Sequence, residues 1–262
     1  MSLHQTTFYS NELQMNTTAY VILPESKVGN DVPIQPANHR LPVMWLLHGL
    51  FDDESMFLRY TSIERYASDT GIAVVMPRAE RSFYTDMAAG GRYWHFITEE
   101  LPQRMRFFYP LSLAPSENFV AGASMGGYGA YKWAFTHPDR FAAVAALSGV
   151  MDVTEFGQEN PNLVPDWSLI FNQSDLHQTP ADLTYLATHL PVNQLQVLQT
   201  VGTEDFLYQM NQAIRPVLNT AFANRYTYFE GPGNHDFKFW DHQLPTIMNR
   251  FKTILTNKEG TK

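Results

Sequence analysis

Phe119-Val120-Ala121-Gly122-Ala123-Ser124-Met125-Gly126-Gly127-Tyr128 is the stretch that decides the fold. Its first half is a short apolar run, of the kind that forms a strand buried on both faces of a parallel sheet. Its second half continues through Gly129-Ala130-Tyr131-Lys132-Trp133-Ala134 and reads as a helix. Ser124 stands at the junction, inside the pattern Gly-x-Ser-x-Gly. A serine on so sharp a strand-to-helix turn holds a strained backbone, and close packing leaves little room for side chains at the flanking glycines. The hydroxyl is lifted above the sheet at a helix N-terminus, where amide N–H groups favour developing negative charge. Ser124 is therefore the candidate nucleophile, and a purely structural turn is the competing reading.

Working outward, further short apolar runs recur at 43–47, 72–76, 141–147, 195–201 and 225–229. Between the runs lie stretches with room for helices, at roughly 58–69, 96–108, 127–136, 179–189, 208–219 and 236–254. This alternation predicts an α/β fold with an open, mostly parallel sheet covered on both faces. Residues 3–23 read as a β-hairpin that turns around Ser10-Asn11-Glu12 and ends at Pro24. Lys27 to Arg40 reads as an exposed connection. The stretch 150–178, with Asn160-Pro161-Asn162 and Pro165-Asp166-Trp167, fits the rhythm poorly. It is expected to form either a small cap over the site or a long surface loop. With no linker and no internal repeat, residues 1–262 are expected to form a single domain.

A serine hydroxyl needs a base, and the base needs an orienting carboxylate. Asp205 follows the 195–201 run in Gly202-Thr203-Glu204-Asp205, where an acid on a sheet-end loop belongs; Glu204 and Asp175 are its rivals. His235 lies in Gly231-Pro232-Gly233-Asn234-His235-Asp236, a glycine-rich loop able to carry an imidazole over the serine. An oxyanion hole requires two backbone donors. The Met125 N–H is one candidate, and the Leu50 N–H in His48-Gly49-Leu50-Phe51-Asp52 is the other; His48 itself is expected to brace that loop. Phe51, Tyr93, Trp94 and His95 are candidate substrate-pocket residues, as is the 156–171 stretch, although spacing does not separate pocket residues from packed ones.

The net charge of −8, from 18 Lys+Arg against 26 Asp+Glu, argues against nucleic acid or an anionic membrane as a main partner. No apolar segment is long enough to span a bilayer. With no cysteine there is no disulfide scaffold, thiol nucleophile or Cys-based metal site. No close His/Asp/Glu spacing points to a metal, and none of the chemistry above requires a cofactor. The absence of a Sec-type pattern in Met1 to Ser10 leads to the expectation of a cytoplasmic protein.

Together His48-Gly49-Leu50, Gly122-Ala123-Ser124-Met125-Gly126-Gly127-Tyr128, Gly202-Thr203-Glu204-Asp205 and Asn234-His235-Asp236 resemble the esterase D-like branch of the α/β-hydrolases. Within it the chain looks most like the bacterial tributyrin esterases; the branch also holds S-formylglutathione hydrolases, feruloyl and acetyl-xylan esterases, and mycolyl transferases. The resemblance implies an α/β-hydrolase fold and a triad on Ser124, Asp205 and His235. It also implies an oxyanion hole at the Leu50 and Met125 amides, and cofactor-free hydrolysis of short acyl esters. A homodimer or homotetramer is suggested by the same likeness. Formylglutathione hydrolases typically carry Gly-Leu-Thr-Cys after the loop histidine, whereas this chain has Gly49-Leu50-Phe51-Asp52.

Overall fold

The computed structural model describes residues 1–25, 38–191 and 193–259. Up to residue 37, the expected connection from Lys27 to Arg40 lies outside the described residues. The strands are β1 (Ser2–Ser10), β2 (Met15–Leu23), β3 (Val43–Leu47), β4 (Ala73–Pro77), β5 (Asn118–Ala123), β6 (Ala143–Leu147), β7 (Gln196–Gly202) and β8 (Tyr226–Gly231). They form one sheet in the order β1-β2-β4-β3-β5-β6-β7-β8. The predicted hairpin is β1 and β2, joined antiparallel to β4; the remaining pairs, from β4 to β8, are parallel.

The helices are α1 (Met56–Tyr60), α2 (Ile63–Thr70), α3 (Tyr93–His95), α4 (Leu101–Phe108), α5 (Met125–Thr136) and α6 (Val153–Glu159). After them come α7 (Trp167–Ile170), α8 (Leu183–Thr188), α9 (Tyr208–Ala213), α10 (Arg215–Phe222) and α11 (Phe237–Glu259). Because successive strand residues point to opposite faces, β3 and β5 feed two cores. Val43, Trp45, Leu47 and Val120 pack with Tyr128, Tyr131 and Trp133 of α5. On the opposite face Met44, Leu46, Phe119 and Ala121 pack with α2 and α11. There Phe119 stacks on Phe251 with ring centroids 4.5 Å apart, and burying each such ring contributes roughly 1.5–3 kcal/mol.

Three expected helices are interrupted, each for a local reason. The 58–69 helix breaks at Thr61-Ser62, where the Ser62 N–H donates to Asp241 of α11 at 2.9 Å instead of continuing the ladder. The 96–108 helix starts earlier, at Tyr93, and passes through a π turn, Phe96–Glu100, before α4. Pro102 has no N–H for the carbonyl four residues back, and that carbonyl, on Thr98, accepts from Arg140 Nη1 at 3.1 Å. Pro216 likewise has nothing to donate to Gln212, and the 208–219 helix divides into α9 and α10.

Residues 150–178 leave the sheet between β6 and β7 and carry α6 and α7. Their apolar side chains enter an aromatic cluster: Phe83 lies 6.0 Å from Phe156, 5.9 Å from Phe171 and 6.1 Å from Tyr128, centroid to centroid. The backbone N–H groups of Ala88 and Ala89 donate to the carbonyls of Ile170 and Leu169 at 3.0 and 2.9 Å. The excursion is thus stitched to the loop that follows β4.

Candidate active site

Ser124 caps α5 with φ 57° and ψ −121°, a conformation that costs a non-glycine residue about 1–3 kcal/mol. The surroundings enforce it. A Cβ on Gly122 would stand 2.2 Å from the Gly126 carbonyl oxygen, and one on Gly126 would stand 2.1 Å from that of Leu47. Only hydrogen fits at either position, so strand, turn and helix close on one another with the serine at the apex. Ser124 N–H still reaches the Leu147 carbonyl at 2.9 Å, which ties the turn to the end of β6.

Asp205 and His235 arrive from the ends of β7 and β8, beyond the intervening β6. His235 Nδ1 lies 3.0 Å from both Asp205 carboxylate oxygens, and its Nε2 lies 2.9 Å from Ser124 Oγ. With Nδ1–H donating to the carboxylate, Nε2 offers its lone pair to the serine hydroxyl. The Asp205 side chain is fully buried, and Oδ1 also accepts the Leu207 N–H at 2.8 Å. The imidazole is held by Phe206 at 4.7 Å and, edge to face, by Trp240 at 5.1 Å. Trp240 is fixed in turn by its Nε1–H, which donates to Ser148 Oγ at 3.1 Å. Neither rival acid touches the histidine. Glu204 accepts from the Gly233 N–H and from Thr203 Oγ1, and so clamps the histidine loop from outside. Asp175 is exposed and pairs with His177.

The loop after β3 approaches the serine directly: a Cβ on Gly49 would lie 3.5 Å from Ser124 Cβ. Leu50 and Met125 are both buried, and among the described residues their N–H groups donate to no protein acceptor. His48 is fully enclosed, with Nε2 accepting the Ala79 N–H at 2.9 Å and Nδ1 donating to the Gly49 carbonyl at 2.8 Å. Burial holds its pKa below the ordinary value, only partly offset by the Gly49 carbonyl. Tyr84 completes the brace, its hydroxyl donating to the His48 carbonyl at 2.8 Å.

The sequence profile of the family described as "Putative esterase" matches residues 10–251. The chain belongs to this esterase family. It is a carboxylic ester hydrolase with the α/β-hydrolase fold. An acetyl esterase of Caldicellulosiruptor saccharolyticus is 26% identical over 259 residues, covering 93% of this chain and 96% of that protein. FphF of Staphylococcus aureus, a fluorophosphonate-binding serine hydrolase solved with substrate bound, is 32% identical, covers 96% of this chain and 98% of its own, and superposes with a TM-score of 0.80. The S-formylglutathione hydrolase FrmB of the same organism is also 32% identical, covering 96% of this chain and all of its own at a TM-score of 0.78. These likenesses agree with the esterase D-like branch.

The esterase's candidate pocket residues go to different places. Phe51 is 69% exposed on the loop after β3, with the Arg81 guanidinium 5.5 Å above its ring. Arg81 reaches from there to the excursion, donating to both Asp166 carboxylate oxygens at 2.8 Å and to the Leu163 carbonyl at 2.8 Å. By contrast, no hydrogen bond, ion pair or ring contact joins Tyr93, Trp94 or His95 to Ser124, Asp205 or His235 among the described residues. Tyr93 is buried in the core, and burial pushes its hydroxyl up to about 12. Trp94 is stacked on His137 at 6.1 Å, and His95 is hydrogen-bonded to Asp86 through both Nδ1 and its backbone N–H.

Two residues of this region are not singled out by sequence reasoning. Asp52 accepts the Gly49 N–H at 3.2 Å, and burial raises its carboxyl above the usual range, with the nearby His235 opposing that rise. Arg81 has no motif around it in Glu80-Arg81-Ser82; its partners lie more than eighty residues away. Among the described residues no group of three His, Asp or Glu side chains is placed to hold a metal ion, and no helix is long and apolar enough to cross a membrane.

Proposed function

We propose that Ser124, His235 and Asp205 form a catalytic triad that hydrolyses short-chain acyl esters through an acyl-enzyme. The observation that carries this reading is the unbroken hydrogen-bond line from Ser124 Oγ through His235 to a fully buried Asp205. His235 takes the serine proton as Oγ attacks the ester carbonyl, and the ring, now cationic, is stabilised by the carboxylate. The Leu50 and Met125 N–H groups receive the oxyanion, and each such donor is worth about 3 kcal/mol of transition-state stabilisation. His235 then protonates the leaving alcohol, and water repeats the sequence to release the acid. In this reading the chain is one domain, and segment 150–178 is a cap that forms one wall of the acyl or alcohol site together with Phe51 and Arg81.

Support for acetyl-to-butyryl substrates comes from the acetyl esterase likeness over nearly the full chain. Thioester hydrolysis is the second reading, favoured by the 32% identity to FrmB. Initial rates on p-nitrophenyl esters from acetate to decanoate, with methyl ferulate and an acyl-glutathione thioester beside them, separate these readings. A peak at acetate to butyrate that falls by about 10⁴-fold or more in Ser124→Ala is expected. A Ser124→Ala protein with undiminished hydrolysis overturns the triad. A thioester rate far above every ester selects the second reading.

A further inference from the structure

Lys132 lies eight residues beyond Ser124 on α5, about 12 Å along the helix axis at 1.5 Å per residue. It is 5% exposed. Its Nζ donates to the Tyr84 carbonyl at 3.1 Å and stands 4.5 Å from the centre of the Trp94 ring. Among the described residues no carboxylate forms an ion pair with it. An ammonium has three donors and no acceptor, and one left short of partners in a buried place is costly. Burial accordingly pulls Lys132 down to about 7, with Asp86 the opposing influence. That carboxylate is already engaged, accepting from His95 twice and lying 4.0 Å from Arg92.

The under-partnered ammonium lines a cavity of about 360 Å³ roofed by the excursion. Ile170, Phe171, Leu176 and Ala181 give it apolar walls, Asp86, held by His95, also borders it, and neither Ser124, Asp205 nor His235 does. We infer that this cavity is a second binding site, for a small organic carboxylate whose anionic head pairs with Lys132 Nζ and whose apolar body lies against Ile170, Phe171 and Leu176. A single cation suits a monoanion, whereas a phosphate dianion needs more donors than Lys132 supplies. The site stands independently of the triad reading.

The test is calorimetric titration of the full chain with benzoate, butyrate and inorganic phosphate, after blocking the active serine with a phosphonate. Two variants accompany it. Lys132→Met removes the cation at similar volume. Ala181→Phe fills the cavity and leaves Lys132 in place; the Ala181 carbonyl keeps its bond from Tyr128. One-site benzoate binding at about pH 6 is expected, weakened about tenfold or more in each variant, as for loss of a charge-assisted hydrogen bond or of the apolar seat. Affinity is expected to fall as pH rises through 7 and the ammonium is lost. Ester hydrolysis by both variants should stay within about threefold of the parent, since neither residue touches the reacting atoms. Absence of benzoate binding overturns the proposal, as does undiminished binding by the folded Ala181→Phe protein. Phosphate binding as tight as benzoate overturns the assignment of an organic carboxylate.

Discussion

Ser124, Asp205 and His235 follow the ends of β5, β7 and β8, and the backbone around the serine has almost no freedom: Gly122 and Gly126 meet carbonyl oxygens within 2.2 Å of where a Cβ would be. The excursion is made otherwise. Segment 150–178 leaves the sheet altogether and is returned to it by side chains, through the Arg81–Asp166 fork and the rings around Phe83. The first region is held by the backbone ladder of the sheet. The second is held by contacts that substitution can loosen without disturbing the sheet. In the proposed reading, chemistry that needs a fixed distance sits on strand ends, and selectivity, which a small pocket supplies at only about 1–3 kcal/mol per methylene, is left to the excursion.

The comparison breaks most visibly if the two acids after β7 prove interchangeable. Asp205→Asn is expected to lower kcat by about 10⁴-fold with the fold intact, because an amide at this position favours the wrong imidazole tautomer. Glu204→Gln, one residue away but outside the hydrogen-bond line, is expected to cost no more than about tenfold, through a looser Gly233 loop. Similar losses in both would place the orienting carboxylate elsewhere. The rigidity of the elbow is tested by Gly126→Ala. The added methyl meets the Leu47 carbonyl at 2.1 Å, and a loss of about 3 kcal/mol or more in denaturant unfolding is expected. A variant as stable as its parent would mean that the backbone there yields.

The same division governs what the sequence discloses. Strand ends and elbow glycines are local: a short apolar run and a pentapeptide specify Val120, Gly122, Ser124 and Gly126 without distant information. The hairpin, the strand positions and the gathering of Ser124, Asp205 and His235 were legible for that reason. Tyr93, Trp94 and His95 illustrate the opposite case. Adjacent in the chain, they open a helix, where successive side chains diverge by about 100°; one enters the core, one packs beside Lys132 and one meets Asp86. Reading them as one pocket confuses neighbours in sequence with neighbours in space. Arg81 and Asp166 are invisible for the same reason, since each acquires its role only from the other.

Cutting that tie sharpens the contrast at moderate effect. Arg81→Met removes both donors to Asp166 and the cation over Phe51 but leaves the elbow untouched. The pair is partly exposed, so the stability cost is expected to be about 1 kcal/mol at most. The expected signature is in selectivity: the acetate rate holds within about twofold, and the ratio of octanoate to acetate rates changes by about tenfold. An acetate rate that collapsed with the rest would show the excursion and the elbow to be one mechanical unit.

The smallest effect concerns His48, which joins the two regions by fixing the loop after β3 against Ala79, just before Arg81. The Ala79 N–H can only donate, so Nε2 must accept, and the ring is neutral with its proton on Nδ1 toward Gly49. Burial depresses its folded pKa below 6.5, while in the unfolded chain it returns to about 6.5. Between those two values the unfolded state binds more protons than the folded one, so stability rises with pH across the window. The contribution is fully present above about pH 6.5 and is lost as the pH falls through the folded value. His48→Gln keeps an acceptor for Ala79 but cannot titrate. It is expected to lower the melting temperature at neutral pH and to make the decline below about pH 6.5 shallower than in the parent. Parallel acid limbs in the two proteins would mean that His48 takes up its proton at the same pH in the folded and unfolded chain, so that its burial carries no acid penalty.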